Sequence, residues 1–315
     1  MKTALIIHGA YGNPNENWIP WLKNELEKFG YEVAVPTFPT PENQNLETWL
    51  NTLSPHLEML DGESVLVGHS IGAVFLLSIL EKLNTPIKTA IFASGFLHDL
   101  GNNDFDKINR SFYEKDFNWQ RIKQNSQEIF IFHGDNDPHV PLSEAENLAE
   151  KLDTKVEVIK NGGHLNESAG FVEFPTVLEK IITFDNRKSL IVPINAKRQI
   201  FIQDRRGFKK PDWGYFGGEI EKDETPIEAV IRETKEELDI DIKPDELKYI
   251  GTSTTLWDEH KIMRYMHLYQ TEQESFNVLE GKGGHWLSFE EVRERLDDKD
   301  RFDEIAKRID NALTK

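Results

Sequence analysis

Three residues in the first half of the chain have the types and the order of a nucleophile, an acid and a base. Ser70 stands in Gly68-His69-Ser70-Ile71-Gly72, between two apolar stretches. A Gly-x-Ser-x-Gly turn between a strand and a helix lifts the serine into a sharp, strained bend, so the residues on either side must lack side chains. A serine hydroxyl is a poor nucleophile until an imidazole takes its proton and a carboxylate orients that imidazole. After such a turn the partners are expected in the order Asp or Glu, then His. Asp137, in Phe132-His133-Gly134-Asp135-Asn136-Asp137-Pro138, and His164, in Asn161-Gly162-Gly163-His164, each follow an apolar run. Both are therefore expected at strand C-terminal ends, where open α/β sheets build their sites. Asp137 is the expected acid and His164 the base. Asp135 is the rival acid, with holding the loop as its plainer role. The Ile71 N–H, at a helix start, is one expected oxyanion donor; the Ala10 N–H, in the loop after the first strand, is the other. His8, His69, His133 and His139 are expected to be structural. Trp18, Trp21, Trp49 and Phe96 are candidates to line an apolar pocket, although aromatics are more often core.

The second half carries a different chemistry. Gly217-Gly218 is followed by Glu224 and then by Arg232-Glu233-Thr234-Lys235-Glu236-Glu237-Leu238-Asp239-Ile240. Thr225-Pro226-Ile227-Glu228 is a capping box with proline at the first helical position, so a helix starts there. At ~100° per residue, Ile227, Ile231, Thr234 and Leu238 form the expected buried stripe, and Glu233, Glu236 and Glu237 gather on the other side. Three carboxylates on one patch repel each other unless a cation neutralises them, and oxygen-only ligands suit Mg²⁺ or Mn²⁺. Arg232 is placed to pair with a carboxylate such as Glu224 and orient the cluster. Arg205, Arg206, Lys209 and Lys210 precede this segment and are candidates to clamp phosphate oxygens. Trp213, Tyr215 and Phe216 are candidates to stack on a base.

The elements that must position these groups fall into two patterns. Strand-like runs at 4–7, 32–35, 64–67, 88–93, 129–132 and 155–159 alternate with helical stretches at 18–29, 46–60, 71–83, 143–152 and 173–182. Such alternation argues for a parallel, doubly wound α/β sheet. After residue 187 the pattern changes to two strands at 189–194 and 199–204, a strand-rich segment, the carboxylate helix, more strands and a closing helix. That last helix places Phe302, Ile305, Ala306, Ile309 and Leu313 on one face. Two domains are expected, 1–185 and 188–315.

Bulk composition narrows the function classes. The net charge is −18. Residues 1–186 hold 14 Lys/Arg against 27 Asp/Glu, and 187–315 hold 23 against 28, so most of the excess lies in the first half. An acidic surface disfavours nucleic acid and anionic membrane as partners, so small-molecule substrates are expected. The absence of cysteine removes disulfides, thiolate nucleophiles and Cys-based zinc sites. The apolar start is shorter than a signal-peptide core and suits a first strand, and the apolar run at 73–80 is far below the ~20 residues of a bilayer span. A cytoplasmic location is expected. Nothing in the sequence sets an oligomeric state.

On Val67-Gly68-His69-Ser70, Asp99-Leu100-Gly101, Asp137-Pro138 through Pro141 and Gly163-His164, the first ~185 residues resemble the small serine hydrolases of the retinoblastoma-binding-protein-9 type, an α/β-hydrolase family. The resemblance implies a Ser70–Asp137–His164 triad, no cofactor, and hydrolysis of an ester, amide or peptide. The segment from Gly218 to Ile240 resembles the Nudix box, and residues 188–315 resemble a MutT-like Nudix hydrolase domain, an α/β/α fold with a mixed sheet. This implies cleavage of a pyrophosphate linkage in a nucleotide derivative. It also implies that Glu233, Glu236 and Glu237, with the Gly217 carbonyl, hold Mg²⁺ or Mn²⁺, with Gly218, Glu224 and Arg232 supporting. Glu280, in Glu280-Gly281-Lys282-Gly283-Gly284-His285-Trp286, sits where MutT-like members bring a fourth carboxylate. Thr234 and Asp239 depart from the box, which usually has an aliphatic residue and a glycine there. The expectation is a bifunctional hydrolase. The alternative is a regulatory protein whose Nudix domain senses a nucleotide without turnover while the other domain is effector or scaffold. A third idea, one acylated nucleotide-sugar serving both sites, rests on the fusion alone.

Overall fold

The computed structural model describes residues 2–207, 211–257 and 259–314, with Trp257 by its backbone alone. The chain divides into two units, Met1–Ile182 and Thr183–Lys315.

The first unit runs β1 (Lys2–Ile7), α1 (Ile19–Lys28), β2 (Tyr31–Ala34), α2 (Leu46–Leu53), β3 (Val65–His69), α3 (Ile71–Lys82), β4 (Ile87–Ala93), α4 (Asn103–Tyr113), α5 (Trp119–Gln124), β5 (Ser126–Gly134), α6 (Leu142–Leu152), β6 (Val156–Ile159) and α7 (Pro175–Ile181). The strands form a six-stranded sheet in the order β2-β1-β3-β4-β5-β6, and every pairing is parallel. Apart from Lys2, every residue of β1 and β3 is buried. A strand buried on both faces needs helices on both, which explains its unbroken apolar sequence. Leu5, Ile7 and Leu66 join one core with Phe75, Leu77 and Phe112. α3 packs with α4 and α5, and α1 packs with α7. The expected helix at 46–60 divides, because Pro55 lies in a tighter 3-10 segment at Ser54–Met59. α4 and α5 were not anticipated.

The second unit runs β7 (Asn186–Ile194), β8 (Ile200–Asp204), β9 (Trp213–Gly214), β10 (Phe216–Glu219), α8 (Pro226–Leu238), β11 (Leu247–Trp257), β12 (His260–Gln270), β13 (Gly284–Leu287), α9 (Phe289–Arg295) and α10 (Lys299–Leu313). Its sheet has the order β11-β12-β7-β8-β13, with β10 on β7 and β9 on β8. β7 pairs β12 in parallel and β10 antiparallel, so the sheet is mixed. Side chains alternate across it. Leu190, Val192 and Ile194 face a core shared with Phe302, Ile305 and Ile309 of α10. Ile191 and Phe216 face a core shared with Val230 and Leu238 of α8. The unit is therefore an α/β/α sandwich. Among the described residues no helix is long and apolar enough to cross a membrane.

Candidate active sites

In the first unit the turn between β3 and α3 puts Ser70 at φ 56°, ψ −124°. A non-glycine residue rarely holds such a conformation unless the surroundings enforce it. Here the Ser70 N–H donates to the Ala93 carbonyl at 2.8 Å. A Cβ on Gly72 would lie 2.5 Å from the Ile7 and His8 carbonyl oxygens, and one on Gly68 would lie 2.5 Å from the Gly72 carbonyl oxygen. The bend thus presses against β1 and closes only with glycine on both sides.

The loop after β5 carries Asp137, and the loop after β6 carries His164. His164 Nδ1 lies 2.7 Å from Asp137 Oδ2, and the Asp137 side chain is fully buried. Asp137 Oδ1 also accepts from the N–H groups of His139 (2.8 Å) and Val140 (3.0 Å). Burial pushes the Asp137 carboxyl up, but the His164 hydrogen bond, the His164 charge and these two backbone donors outweigh it and hold it below the ordinary value. Asp135 is exposed and accepts from the Asn161 N–H at 2.7 Å, and Asn136 accepts from the Gly163 N–H at 2.8 Å. Both therefore brace the His164 loop. His69 donates from Nε2 to the His164 carbonyl at 2.9 Å, and the two rings lie 5.0 Å apart, so the residue beside Ser70 touches the His164 segment directly. Among the described residues no hydrogen bond joins Ser70 Oγ to the His164 ring. The Ala10 N–H also makes no hydrogen bond among them, and Ile71, first in α3, has no acceptor within its helix.

His8 and His133 are buried. The first accepts from the Phe38 N–H at 3.1 Å and the second donates to the Val140 carbonyl at 2.9 Å. The expected apolar pocket is corrected: Trp18, Trp49 and Phe96 are fully buried. Their rings pack into the core, with the Trp18 and Trp49 N–H groups donating to the Leu165 and Pro39 carbonyls. Trp21 is half-buried.

In the second unit the capping box forms as expected at Thr225 and Glu228. The buried stripe of α8 is turned from the expected one. Ala229, Val230, Thr234, Glu237 and Leu238 are buried, while Ile227 and Ile231 are only half-buried. The reason is Glu237, whose Oε2 accepts the Gly217 N–H at 2.6 Å. That bond draws an acidic residue to the sheet side. Burial, with the charges of Glu280 and Glu233, pushes the Glu237 carboxyl up to about 7, against the Gly217 bond and the Arg205 charge. Arg232 grips Glu224 with two bonds of 2.9 Å, donates to Glu233 at 2.8 Å and to the Glu219 carbonyl at 2.9 Å, and lies 3.4 Å from Glu236. A Cβ on Gly218 would fall on the Glu233 carboxylate, so this glycine lets helix and β10 meet.

Among the described residues no three acidic side chains converge closely enough to hold a metal ion. The donor set is nevertheless all oxygen, and Glu280 and Glu233 still raise the Glu237 carboxyl although Arg232 pairs with Glu233 and the Arg205 charge opposes them. These residues fit a hard divalent cation. Arg206 is bound to Asp204 at 2.7 Å, so its charge is already engaged. Lys209 and Lys210 lie outside the described residues. Phe216 is fully buried, stacked on Phe201, and is core rather than a base platform. Trp213 carries Arg206 and Arg295 over its ring, 5.0 and 5.4 Å from the centroid.

Comparison with known proteins agrees with this division. A serine hydrolase family model matches residues 4–182, and a NUDIX domain model matches residues 186–308. YdeN of Bacillus subtilis (strain 168) is 29% identical over 190 residues, covering 60% of this chain and 98% of YdeN. The serine hydrolase RBBP9 of Rattus norvegicus is 26% identical over 183 residues, covering 57% and 95%. The solved structure of the B. subtilis ydeN gene product matches with a TM-score of 0.54 at 30% identity, covering 57% of this chain and 97% of that one. With more than half of its length matched by that one model, the chain is an enzyme that belongs to the serine hydrolase family and carries a second hydrolase domain of the NUDIX type.

Proposed function

We propose that the first unit hydrolyses an ester or amide through Ser70, His164 and Asp137, and that the second cleaves the pyrophosphate of a nucleotide derivative with Mg²⁺ or Mn²⁺. The observation carrying the first half is the 2.7 Å bond from His164 to buried Asp137, set beside the strained Ser70 turn. An Nδ1–H committed to Asp137 leaves Nε2 as the basic nitrogen. Ser70 Oγ attacks the substrate carbonyl carbon while Nε2 takes its proton. The Ile71 and Ala10 N–H groups receive the oxyanion, and His164 returns the proton to the leaving group. Water then releases the acyl group from Ser70 by the same exchange.

The second half rests on Arg232 holding Glu224 and Glu233 beside Glu237 and Glu236 on one helix, with Gly217 closing on them. A bound divalent ion would neutralise phosphate charge and activate water. Arg232 orients the carboxylates, Glu280 adds a further acidic group, and Arg205 lies close enough to sense both Glu237 and Glu280.

A fluorophosphonate probe is expected to label Ser70 and to leave Ser70→Ala unlabelled. A folded wild-type protein that takes up no probe would rule out the serine-hydrolase mechanism. Mg²⁺-dependent release of nucleoside monophosphate from a panel of triphosphates, sugar nucleotides and dinucleotides is expected, and Glu237→Gln should end it. Tight nucleotide binding with no turnover would instead mark the second unit as a sensor.

A further inference from the structure

A cavity of about 470 Å³ lies in the second unit, on the α10 side of the sheet. Its walls come from β7, β11 and β12, from the segment 213–217 and from α10, and it reaches Gly217, whose N–H holds Glu237. It therefore begins at the edge of the carboxylate patch. Four cationic side chains line it (Lys188, Arg205, Arg264 and Arg301) against two acids, Asp297 and Asp298. Asp298 also accepts the Arg301 N–H as the cap of α10.

The charges are close together by register. Arg264 on β12 sits opposite Lys188 on β7 and Ser253 on β11, in the middle of the sheet. Its flanking residues on the same face, Ile262 and Met266, are apolar. Arg264 is half-buried, and among the described residues its side chain hydrogen-bonds to Thr255 Oγ1 at 2.6 Å. Arg205 is also half-buried; it donates to Gln203 Oε1 at 2.6 Å and to the Tyr215 carbonyl. Among the described residues neither Arg264 nor Arg205 forms an ion pair. Two of the lining residues, Tyr215 and Ser253, carry buried hydroxyls that have no hydrogen-bond partner among the described residues. A half-buried cation with no direct ion pair is costly even with acids such as Asp298, Glu237 and Glu280 near enough to act on it, and so is an orphaned hydroxyl. Burial first, then the charges of Arg301 and Arg205, lower the Arg264 guanidinium to about 10. An anion carrying several acceptor oxygens is the ligand that would lower the cost of the two arginines lining one cavity.

We propose that the cavity receives a phosphoryl group of the substrate other than the pair being cleaved, held by Arg264 and Arg205 with Ser253 and Tyr215. The substrate class is then a nucleotide with an additional phosphate, and not one whose remaining portion is neutral. This rests on the pyrophosphohydrolase reading of the neighbouring carboxylates. Arg205 stands between the two regions, which suits a chain of phosphates running from the metal-binding patch into the cavity. Arginine suits the task because its planar fork matches phosphate oxygens in pairs.

The test is calorimetric titration of the full-length protein with inorganic phosphate in EDTA, alongside thermal unfolding. Without metal the carboxylate patch repels phosphate, so the cavity dominates the response. Wild type is expected to bind saturably, and Arg264→Met about tenfold more weakly or worse, the usual cost of losing hydrogen bonds to a charged partner. Unliganded Arg264→Met is expected to melt no lower than wild type, because an unpaired buried charge is gone. If it fails to fold, Arg264→Lys takes its place, keeping the charge but losing the fork, with several-fold weaker binding expected. No phosphate binding to wild type overturns the proposal. So does equal binding by the variant, which with a lowered midpoint would make Arg264 a structural residue. The parent reading fails separately: phosphate bound through Arg264, but no nucleoside monophosphate released in Mg²⁺, would refute hydrolysis and leave an anion site.

Discussion

Asp137 shows how one carboxyl does two jobs. Its Oδ1 closes the loop after β5 by accepting from His139 and Val140, while its Oδ2 orients His164. Asparagine keeps an oxygen for the loop but puts an amide where His164 needs an acceptor. Asp137→Asn should therefore fold normally yet react with a fluorophosphonate on the order of 10⁴-fold more slowly, since the imidazole is left in the wrong tautomer. A reaction rate within tenfold of wild type, on protein of unchanged circular dichroism, would remove Asp137 from the triad. Gly218 offers a parallel case in the second unit. The atom a Cβ would strike belongs to the Glu233 carboxylate, the movable end of a side chain, and not to backbone. Gly218→Ala should thus displace Glu233 at little cost in stability. The Mg²⁺ concentration giving half-maximal hydrolysis should rise roughly 10–100-fold, the usual range when a ligand loses its support. An unchanged Mg²⁺ dependence would place Glu233 outside the metal site.

At the scale of elements, α8 is the part whose start the residues dictate most fully. Thr225 accepts the Glu228 N–H, and Glu228 reaches back to the Thr225 N–H at 2.9 Å. Thr225→Ala should cost about 1 kcal/mol, seen as a lower unfolding midpoint, and no loss would mean the cap is idle. Other elements were legible to differing degrees for physical reasons. β1, β3 and α3 announce themselves because nearly all of their residues are buried and most are apolar. α4 does not, because its buried positions include Asp106 and Asn109, which hold Leu100, Gly101 and Gln44 by hydrogen bonds. A periodic apolar pattern cannot reveal a face that is buried through polar contacts. The same blindness turned the expected stripe of α8: Glu237 counts as polar in the sequence, yet Gly217 draws it inward. The places of Ser70, Asp137 and His164 beyond the ends of β3, β5 and β6 were legible because only local turns and strand ends are needed to foresee them. The cationic cavity was not, since Arg264, Lys188 and Arg205 meet only through strand register. One hint was present: an arginine at the same alternation as Ile262 and Met266 breaks an otherwise apolar face.

Across the whole molecule, the two units carry different balances of displaced titrations, and acid should therefore separate them. In the first unit burial lowers His69 to about 3, helped by the His164 charge, and lowers His8 and His133 as well. A histidine held neutral when folded contributes stability above its unfolded value of 6.5, and that contribution is lost as pH falls below it. By pH 5 the loss from His69 alone is about 2 kcal/mol at 1.36 kcal/mol per pH unit, with His8 and His133 adding in the same direction. Asp137, held low, contributes nothing in this window, since its loss begins only below its ordinary value of 3.8. In the second unit His267, lowered by burial to about 4, acts with the same sign. Glu237, raised to about 7 from its ordinary value of 4.5, acts with the opposite one: its contribution is complete below 4.5 and fades as pH rises through 7. Between pH 7 and 5 these two shifts nearly cancel. Glu16, raised by burial, opposes the histidines in part, so calorimetry in EDTA should then show the first unit's transition falling by about 4 °C, from 2 kcal/mol at roughly 2–4 °C per kcal/mol, while the second barely moves. Thr225→Ala identifies the second transition, because it lowers only that one. Equal downward shifts of both transitions would mean that Glu237 is not protonated in the metal-free fold, and an immobile first transition would mean that His69 is not held neutral.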